Sequence, residues 1–97
     1  MNSPEKSWRI SRVANEARRA IEALDLKTQE KILRALESLQ KDPFPKNVKK
    51  IKGKEDIFRL RVGNFRIYFR IASSSRCVEI VLFDQRGAIK NKILERF

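Results

Sequence analysis

Residues 57–71 read I-F-R-L-R-V-G-N-F-R-I-Y-F-R-I, with apolar and basic residues alternating on both sides of Gly63-Asn64. Alternation of this kind is typical of a half-buried strand, and a Gly-Asn dipeptide between two such runs predicts a β-hairpin with a two-residue turn. One face of the hairpin would carry six apolar side chains: Phe58, Leu60, Val62, Phe65, Ile67 and Phe69. We therefore expect this face to form one wall of the hydrophobic core.

The opposite face of the predicted hairpin is cationic. It carries Arg59, Arg61, Arg66 and Arg70, with Ile57 and Tyr68 among them. A two-residue turn places Arg61 directly opposite Arg66, and like charges at facing positions destabilise a sheet. Because the hairpin itself contains no acidic residue, we expect the missing counter-charge to be a bound polyanion.

The composition predicts one globular domain spanning residues 1–97, with 41% hydrophobic and 36% charged residues. No stretch has the length and apolar character of a signal peptide or a membrane span. A single cysteine, Cys77, cannot form a disulfide within the chain, so a cytoplasmic location is expected. We interpret Cys77 as a buried core thiol.

Positive charge is concentrated in one third of the chain. The net charge is +11, and residues 44–76 contain ten Lys or Arg against only Glu55 and Asp56. A localised positive field indicates a protein that binds nucleic acid or an acidic partner. The alternative is that the charge serves only solubility.

Helical spacing replaces the alternation from Val13 onward, and two helices are predicted. Asp25 or Thr28 would cap the second helix, which must end before Pro43 because a residue preceding proline disfavours the helical conformation. Residues 7–12 predict a short first strand, in which Trp8 is interpreted as a core anchor rather than a platform for stacking a base.

The remaining segments complete an α+β fold: a small twisted antiparallel β-sheet with two N-terminal helices packed on one side. Residues 46–54 form a lysine-rich loop before the hairpin, and residues 77–83, apolar on both faces, predict a central strand. Residues 87–97 have the spacing of a short helix, or of a segment that orders against a partner.

Several kinds of chemistry have no residues to support them. The chain contains no histidine, one cysteine and no glycine-rich phosphate loop, so neither a metal site nor a cofactor is expected. Arginine can clamp a phosphate and stabilise charge that develops on it. Transphosphorylation of RNA suits such a site, because the substrate supplies its own nucleophile, the 2′-hydroxyl. A face that binds nucleic acid or an acidic peptide without cutting anything remains equally open.

The motifs K-K-I-K-G (residues 49–53), F-R-L-R-V-G-N-F-R-I-Y-F (residues 58–69) and Q-R-G (residues 85–87) resemble the RelE/ParE family of toxins, and the resemblance covers roughly the whole chain. It implies a small basic toxin neutralised by a cognate antitoxin protein. The RelE branch further implies a ribosome-dependent endoribonuclease that cuts mRNA and leaves a 2′,3′-cyclic phosphate and a 5′-hydroxyl.

The resemblance assigns catalytic roles to Arg59, Arg61, Arg66 and Arg86. Nearby basic residues are expected to bind RNA: Lys49, Lys50, Lys52, Lys54, Arg70, Lys90 and Lys92. The expected partners are the antitoxin, mRNA on the ribosome and ribosomal RNA. No membrane and no small-molecule cofactor are expected.

One departure from the family pattern concerns the segment after Arg86, which reads G-A-I-K-N-K where RelE toxins carry a tyrosine. Two alternatives follow: a catalytically weakened RelE homologue, or a non-nucleolytic ParE-like toxin that acts on DNA gyrase. The retention of four arginines favours the nuclease branch.

Overall fold

The computed structural model describes residues 8–54 and 56–85. The elements in chain order are β1 (Arg9–Val13), α1 (Asn15–Glu22), α2 (Leu26–Lys41), β2 (Val48–Lys50), β3 (Ile57–Val62), β4 (Phe65–Ala72) and β5 (Cys77–Gln85). The strands form one sheet of order β1-β5-β4-β3-β2, and both helices pack on the same side of it. The predicted α+β fold with two N-terminal helices is confirmed.

The sheet is mixed rather than wholly antiparallel. Strands β3 to β5 pair antiparallel, as predicted, whereas β1 runs parallel to β5 at one edge. Strand β2, which pairs antiparallel with β3, was not predicted, because it lies within residues 46–54, which we expected to form a loop. Two helices separate β1 from β2, and β2 lies at the opposite edge of the sheet. Because no short turn joins β1 to its neighbour, its direction is not restricted to the antiparallel one.

The hairpin forms with the predicted register. Arg61 faces Arg66, Arg59 faces Tyr68, and the strands close around Gly63 and Asn64. Gly63 has a φ of 59° whereas Asn64 keeps a negative φ, as in a turn that requires glycine only at its first central position. The alternating pattern and the turn residues therefore agree on one register.

Helix α2 begins and ends where the sequence predicts. The carboxylate of Asp25 accepts hydrogen bonds from the backbone N–H of Thr28 at 3.3 Å and from its hydroxyl at 2.6 Å. These hydrogen bonds lower the pKa of Asp25. The helix ends at Lys41, just before the residue that precedes Pro43.

The main core lies between the helices and one face of the sheet. Its buried members include Ile32 and Leu39 of α2 and Phe69 at the centre of β4, each with 0% of its surface exposed. An aromatic series runs along this core, with ring centroids 6.3 Å apart for Trp8 and Phe44, 5.4 Å for Phe44 and Phe58, and 5.9 Å for Phe58 and Phe69. The interpretation of Trp8 as a core anchor is confirmed.

Cys77 is not the buried core thiol that we expected. It is the first residue of β5, directly after the turn of residues 73–76, and is half-buried, since its neighbour Val78 takes the core-facing position. The thiol donates to the carbonyl of Ser75 at 3.5 Å and accepts from Arg9 at 3.6 Å. Hydrogen bonding to the side chains of Ser75 and Arg9 lowers the pKa of Cys77.

Neither α1 nor α2 has the length and apolar composition that crossing a membrane requires. The helix predicted for residues 87–97 lies outside the described residues.

Candidate nucleic-acid interface

The four arginines of the hairpin lie on the sheet face opposite the helices, here called the cationic face. Cross-strand pairing arranges this face in three rows. The row nearest the hairpin turn is Arg61, Arg66 and Asp84; the middle row is Lys49, Arg59, Tyr68 and Leu82; the far row is Ile57, Arg70, Glu79 and Arg12.

Arg66 has a carboxylate beside it. Its Nη1 lies 3.9 Å from Oδ2 of Asp84, and the two side chains are 26% and 1% exposed. The expectation that the cationic face lacks acidic neighbours is therefore wrong for Arg66. The counter-charge comes from Asp84 of β5, a strand that lies outside the hairpin in sequence.

The far row carries most of the internal ion pairs of this face. Nε of Arg70 lies 3.0 Å from Asp56, and its Nη1 lies 3.6 Å from Glu79. Glu79 also lies 3.6 Å from Nη1 of Arg12. The expectation of a missing counter-charge is thus also wrong for Arg70, because Asp56 precedes the hairpin and Glu79 follows it.

Arg59, Arg61 and Lys49 differ from the other cations on this face. Within residues 8–54 and 56–85, no carboxylate oxygen lies within 4.0 Å of their charged nitrogens. Lys49 faces Arg59 across β2 and β3, and Arg61 is exposed. These three side chains form the part of the face most able to accept an external anion.

The predicted RNA-binding lysines do not share one surface. Lys49 lies on the cationic face, whereas Lys50 faces Phe58 and so lies toward the helix side at the edge of the sheet. Lys52 and Lys54 belong to the turn between β2 and β3. Strand alternation separates adjacent lysines, so a basic run in sequence becomes two surfaces.

Three further predicted site residues lie outside the described residues: Arg86, Lys90 and Lys92.

Tyr68 lies at the centre of the cationic face and is only 4% exposed. Burial and the carboxylate of Asp84 raise the pKa of Tyr68, although the guanidinium groups of Arg59 and Arg66 act in the opposite direction. The hydroxyl therefore keeps its proton at neutral pH. A neutral hydroxyl among these charged groups can donate as well as accept a hydrogen bond.

A β-bulge in β5 shapes the floor of the cationic face. Phe69 faces Ile80, but Tyr68 faces Leu82, so Val81 is the additional residue of β5. Tyr68, Val81 and Leu82 form a second buried cluster, against which Ile51 packs. This cluster excludes water from the sheet surface beneath the arginines.

Asp84 is the residue of this site that the sequence analysis missed. The available signal was an acidic residue directly after the apolar run V-L-F of residues 81–83. Charged residues are seldom buried without a partner, so such a residue predicts a pairing with a neighbouring strand. The described residues contain no group of three His, Cys, Asp or Glu side chains that could hold a metal ion.

Solved structures share this fold. RelE in the archaeal RelE–RelB complex from Pyrococcus horikoshii OT3 is similar with a TM-score of 0.74 and 20% identity, covering 86% of this chain and 99% of that chain. The toxin–antitoxin complex RelBE2 from Mycobacterium tuberculosis gives a TM-score of 0.69 at 22% identity, with 90% and 99% covered. The class that these likenesses define is a RelE-like α+β fold.

Sequence comparison identifies the family. RelE1 of Methanocaldococcus jannaschii is 33% identical over 60 residues, covering 58% of this chain and 67% of that protein. The family model described as the ParE toxin of the type II toxin–antitoxin system parDE matches residues 11–89. The chain therefore belongs to the RelE/ParE family and is a toxin of the type II toxin–antitoxin class.

Proposed function

We propose that this toxin is a metal-independent, ribosome-dependent endoribonuclease that cuts mRNA and inhibits translation. The observation that carries the proposal is the cluster of Lys49, Arg59 and Arg61, which have no carboxylate within 4.0 Å among the described residues. An RNA phosphate would supply the negative charge that this part of the face lacks.

The proposed reaction uses the RNA itself as nucleophile. The 2′-oxygen forms a bond to the adjacent phosphorus, the bond from phosphorus to the 5′-oxygen breaks, and the products are a 2′,3′-cyclic phosphate and a 5′-hydroxyl. The 2′-oxygen loses its proton to water, and the 5′-oxygen gains one from water. Arg59, Arg61 and Arg66 would stabilise the charge that develops on the phosphate oxygens.

In this reaction the arginines would bind and orient the phosphate. They would not transfer protons. An arginine side chain holds its proton too tightly to act as a base near neutral pH. A guanidinium group can nevertheless donate two parallel hydrogen bonds to a phosphate. Holding the 2′-oxygen in line with the phosphorus and the leaving 5′-oxygen can increase the reaction rate by several orders of magnitude, even without a strong acid–base pair.

Arg61→Ala tests the proposal directly. We expect cleavage of mRNA on programmed ribosomes to fall about 100-fold or more, as when one donor to a developing anion is removed. Arg12→Ala is the matched control, because Arg12 is also an exposed arginine of this face but already pairs with Glu79. Cleavage is measured by mapping RNA ends, and a 2′-deoxy nucleotide at the cut site should abolish it. Equal activity of Arg61→Ala and the parent protein would refute the assignment.

A ParE-like toxin that acts on DNA gyrase without cutting RNA is the second candidate. The match to the ParE family model favours it, as does the absence of tyrosine after Arg86. Induction of the toxin distinguishes the two: intact mRNA together with inhibited supercoiling by gyrase would support this candidate, whereas codon-phased mRNA ends would support the nuclease.

The proposed protein partner is a cognate antitoxin. Two of the structural neighbours are RelE–RelB and RelBE2 complexes, which makes an antitoxin the partner to test. An antitoxin segment that carries carboxylates to Arg59 and Arg61 would block the same surface as RNA. The proposed place of action is the cytoplasm, where mRNA and ribosomal RNA are the other partners.

A further inference from the structure

Asp84 is a buried acidic residue on the face that carries the cations of the site. Only 2% of its surface is exposed, and it lies opposite Arg66 on the neighbouring strand. Burying a carboxylate costs free energy that an ion pair recovers only in part, and apolar residues of similar volume often give equal or higher stability. Stability alone therefore does not account for an aspartate at this position.

The β-bulge at Val81 determines that Asp84, and not Phe83, faces Arg66. Pairing continued from Phe69 and Ile80 without the extra residue would place Phe83 opposite Arg66. With the bulge, Phe83 faces Ile67 on the core side and stacks on Phe65 with ring centroids 5.4 Å apart. Bulges commonly redirect side chains next to functional sites.

The contact with Asp84 leaves Arg66 able to bind an anion. Nη1 of Arg66 lies 3.9 Å from Oδ2 of Asp84, while the arginine side chain remains 26% exposed. A guanidinium group has five N–H donors, so one carboxylate on its inner side leaves donors for a phosphate outside. Attraction to the Asp84 carboxylate favours a position of the guanidinium group beside Arg61, which faces Arg66 on the other side.

We propose that Asp84 is a positioning residue, which holds the guanidinium group of Arg66 beside Arg61 so that both arginines meet the same RNA phosphate. This inference rests on the proposed nuclease function. Asp84 acts through Arg66 and does not itself contact RNA. Its negative charge opposes RNA binding, so its contribution is to the rate of cleavage rather than to affinity.

Asp84→Asn separates a positioning role from a purely structural one. We expect kcat for cleavage on programmed ribosomes to fall about 100-fold, in line with the cost of misplacing one catalytic group. Affinity for an RNA with a 2′-deoxy nucleotide at the cut site should stay equal or become tighter, because one negative charge has gone from the face. An unchanged kcat in Asp84→Asn would overturn the proposal. So would losses of rate and RNA affinity that both match the fraction of the variant that is unfolded, because such losses would show a purely structural role.

Glu79→Gln is the matched control. Glu79 is also a carboxylate of β5 on the cationic face, but it pairs with Arg70 and Arg12 in the far row. We expect its kcat to equal that of the parent protein. A loss as large as that of Asp84→Asn would show a general effect of charge on this face and would contradict a specific role for Asp84.

A second measurement keeps this proposal distinct from the nuclease proposal. Rotation of the Arg66 guanidinium group can be followed by nitrogen NMR, with the signal assigned by Arg66→Lys. We expect restricted rotation in the parent protein and in Glu79→Gln, and free rotation in Asp84→Asn. Free rotation in the parent would refute the positioning role, even for a protein that cuts mRNA. Restricted rotation in a protein that cuts no RNA would refute only the nuclease function.

Discussion

Tyr68 shows how the properties of one side chain depend on strands that are distant in sequence. Its hydroxyl is buried, and its charged neighbours come from three strands: Arg59 of β3, Arg66 of β4 and Asp84 of β5. Burial is the largest cause of its raised pKa, and Asp84 adds to it. The neutral form of Tyr68 is therefore the form compatible with the folded protein.

This shift has a definite consequence for stability at high pH. A group whose pKa is raised by folding contributes stability in full below its unfolded value of 10.0, and this contribution disappears as the pH rises through the folded pKa. We expect the folded protein to form tyrosinate at higher pH than the unfolded chain, and to lose stability as the pH rises through the interval between the two pKa values.

The measurement is direct because Tyr68 is the single tyrosine of the chain. Tyrosinate absorbance in native and urea-unfolded protein gives the two pKa values, and Tyr68→Phe is the control that should remove this part of the pH dependence. A folded pKa at or below the unfolded one would contradict the environment described for Tyr68.

The hairpin is the element in which local and tertiary preferences agree most closely. Alternation assigns each side chain to a face, and the positive φ of Gly63 closes the turn in the register that puts apolar residues on the core. The same alternation gathers Arg59, Arg61 and Arg66 on the other face. Fold and candidate site therefore depend on one turn.

Gly63→Ala tests that dependence. A Cβ at Gly63 would meet Nζ of Lys31 at 3.9 Å, an ordinary contact, so the cost comes from the φ of 59° rather than from crowding. We expect the free energy of unfolding to fall by about 1–2 kcal/mol. Urea unfolding measures it, and Asn64→Ala, at a residue with negative φ, should have a smaller effect. Equal effects of the two substitutions would exclude the turn conformation described here.

The mixed sheet shows that the partner and direction of a strand can depend on residues outside that strand. Strand β1 was predicted as a strand from its own residues, but its parallel pairing with β5 joins segments more than sixty residues apart. Nothing within residues 9–13 selects that partner. The internal position of β5 was predicted, because a strand apolar on both faces needs cover on both sides.

For the whole molecule, stability is expected to depend mainly on the core between the helices and the sheet. Phe69 is fully buried there, and we expect Phe69→Ala to lower the free energy of unfolding by about 3–5 kcal/mol, through lost burial and the cavity left behind. Total stabilities of about 5–15 kcal/mol are usual, so this loss is a large fraction.

Trp8 is the single tryptophan and packs against this core, so its fluorescence reports the unfolding. Leu33→Ala is the control, because Leu33 is apolar but 58% exposed. A loss for Leu33→Ala as large as that for Phe69→Ala would mean that the core lies elsewhere.

The tertiary structure also determines which charged side chains lie close together. In sequence, residues 44–76 form a strongly basic block, with ten Lys or Arg and two acidic residues. In the folded chain, β5 lies beside β4, so that Glu79 pairs with Arg70 and Asp84 pairs with Arg66. Among the described residues of the cationic face, the cations without such a partner are then Lys49, Arg59 and Arg61.

Local patterns were sufficient to predict the helices, the register of the hairpin and the face on which its arginines lie. Each of these depends on periodicity, caps or turn residues within about fifteen neighbouring positions. The parallel edge strand, the bulge at Val81 and the pairing of Asp84 with Arg66 were decided only when distant strands packed together. Which residue faces Arg66 depends on a one-residue shift in β5, and that shift arises from the fit of two strands rather than from either sequence alone.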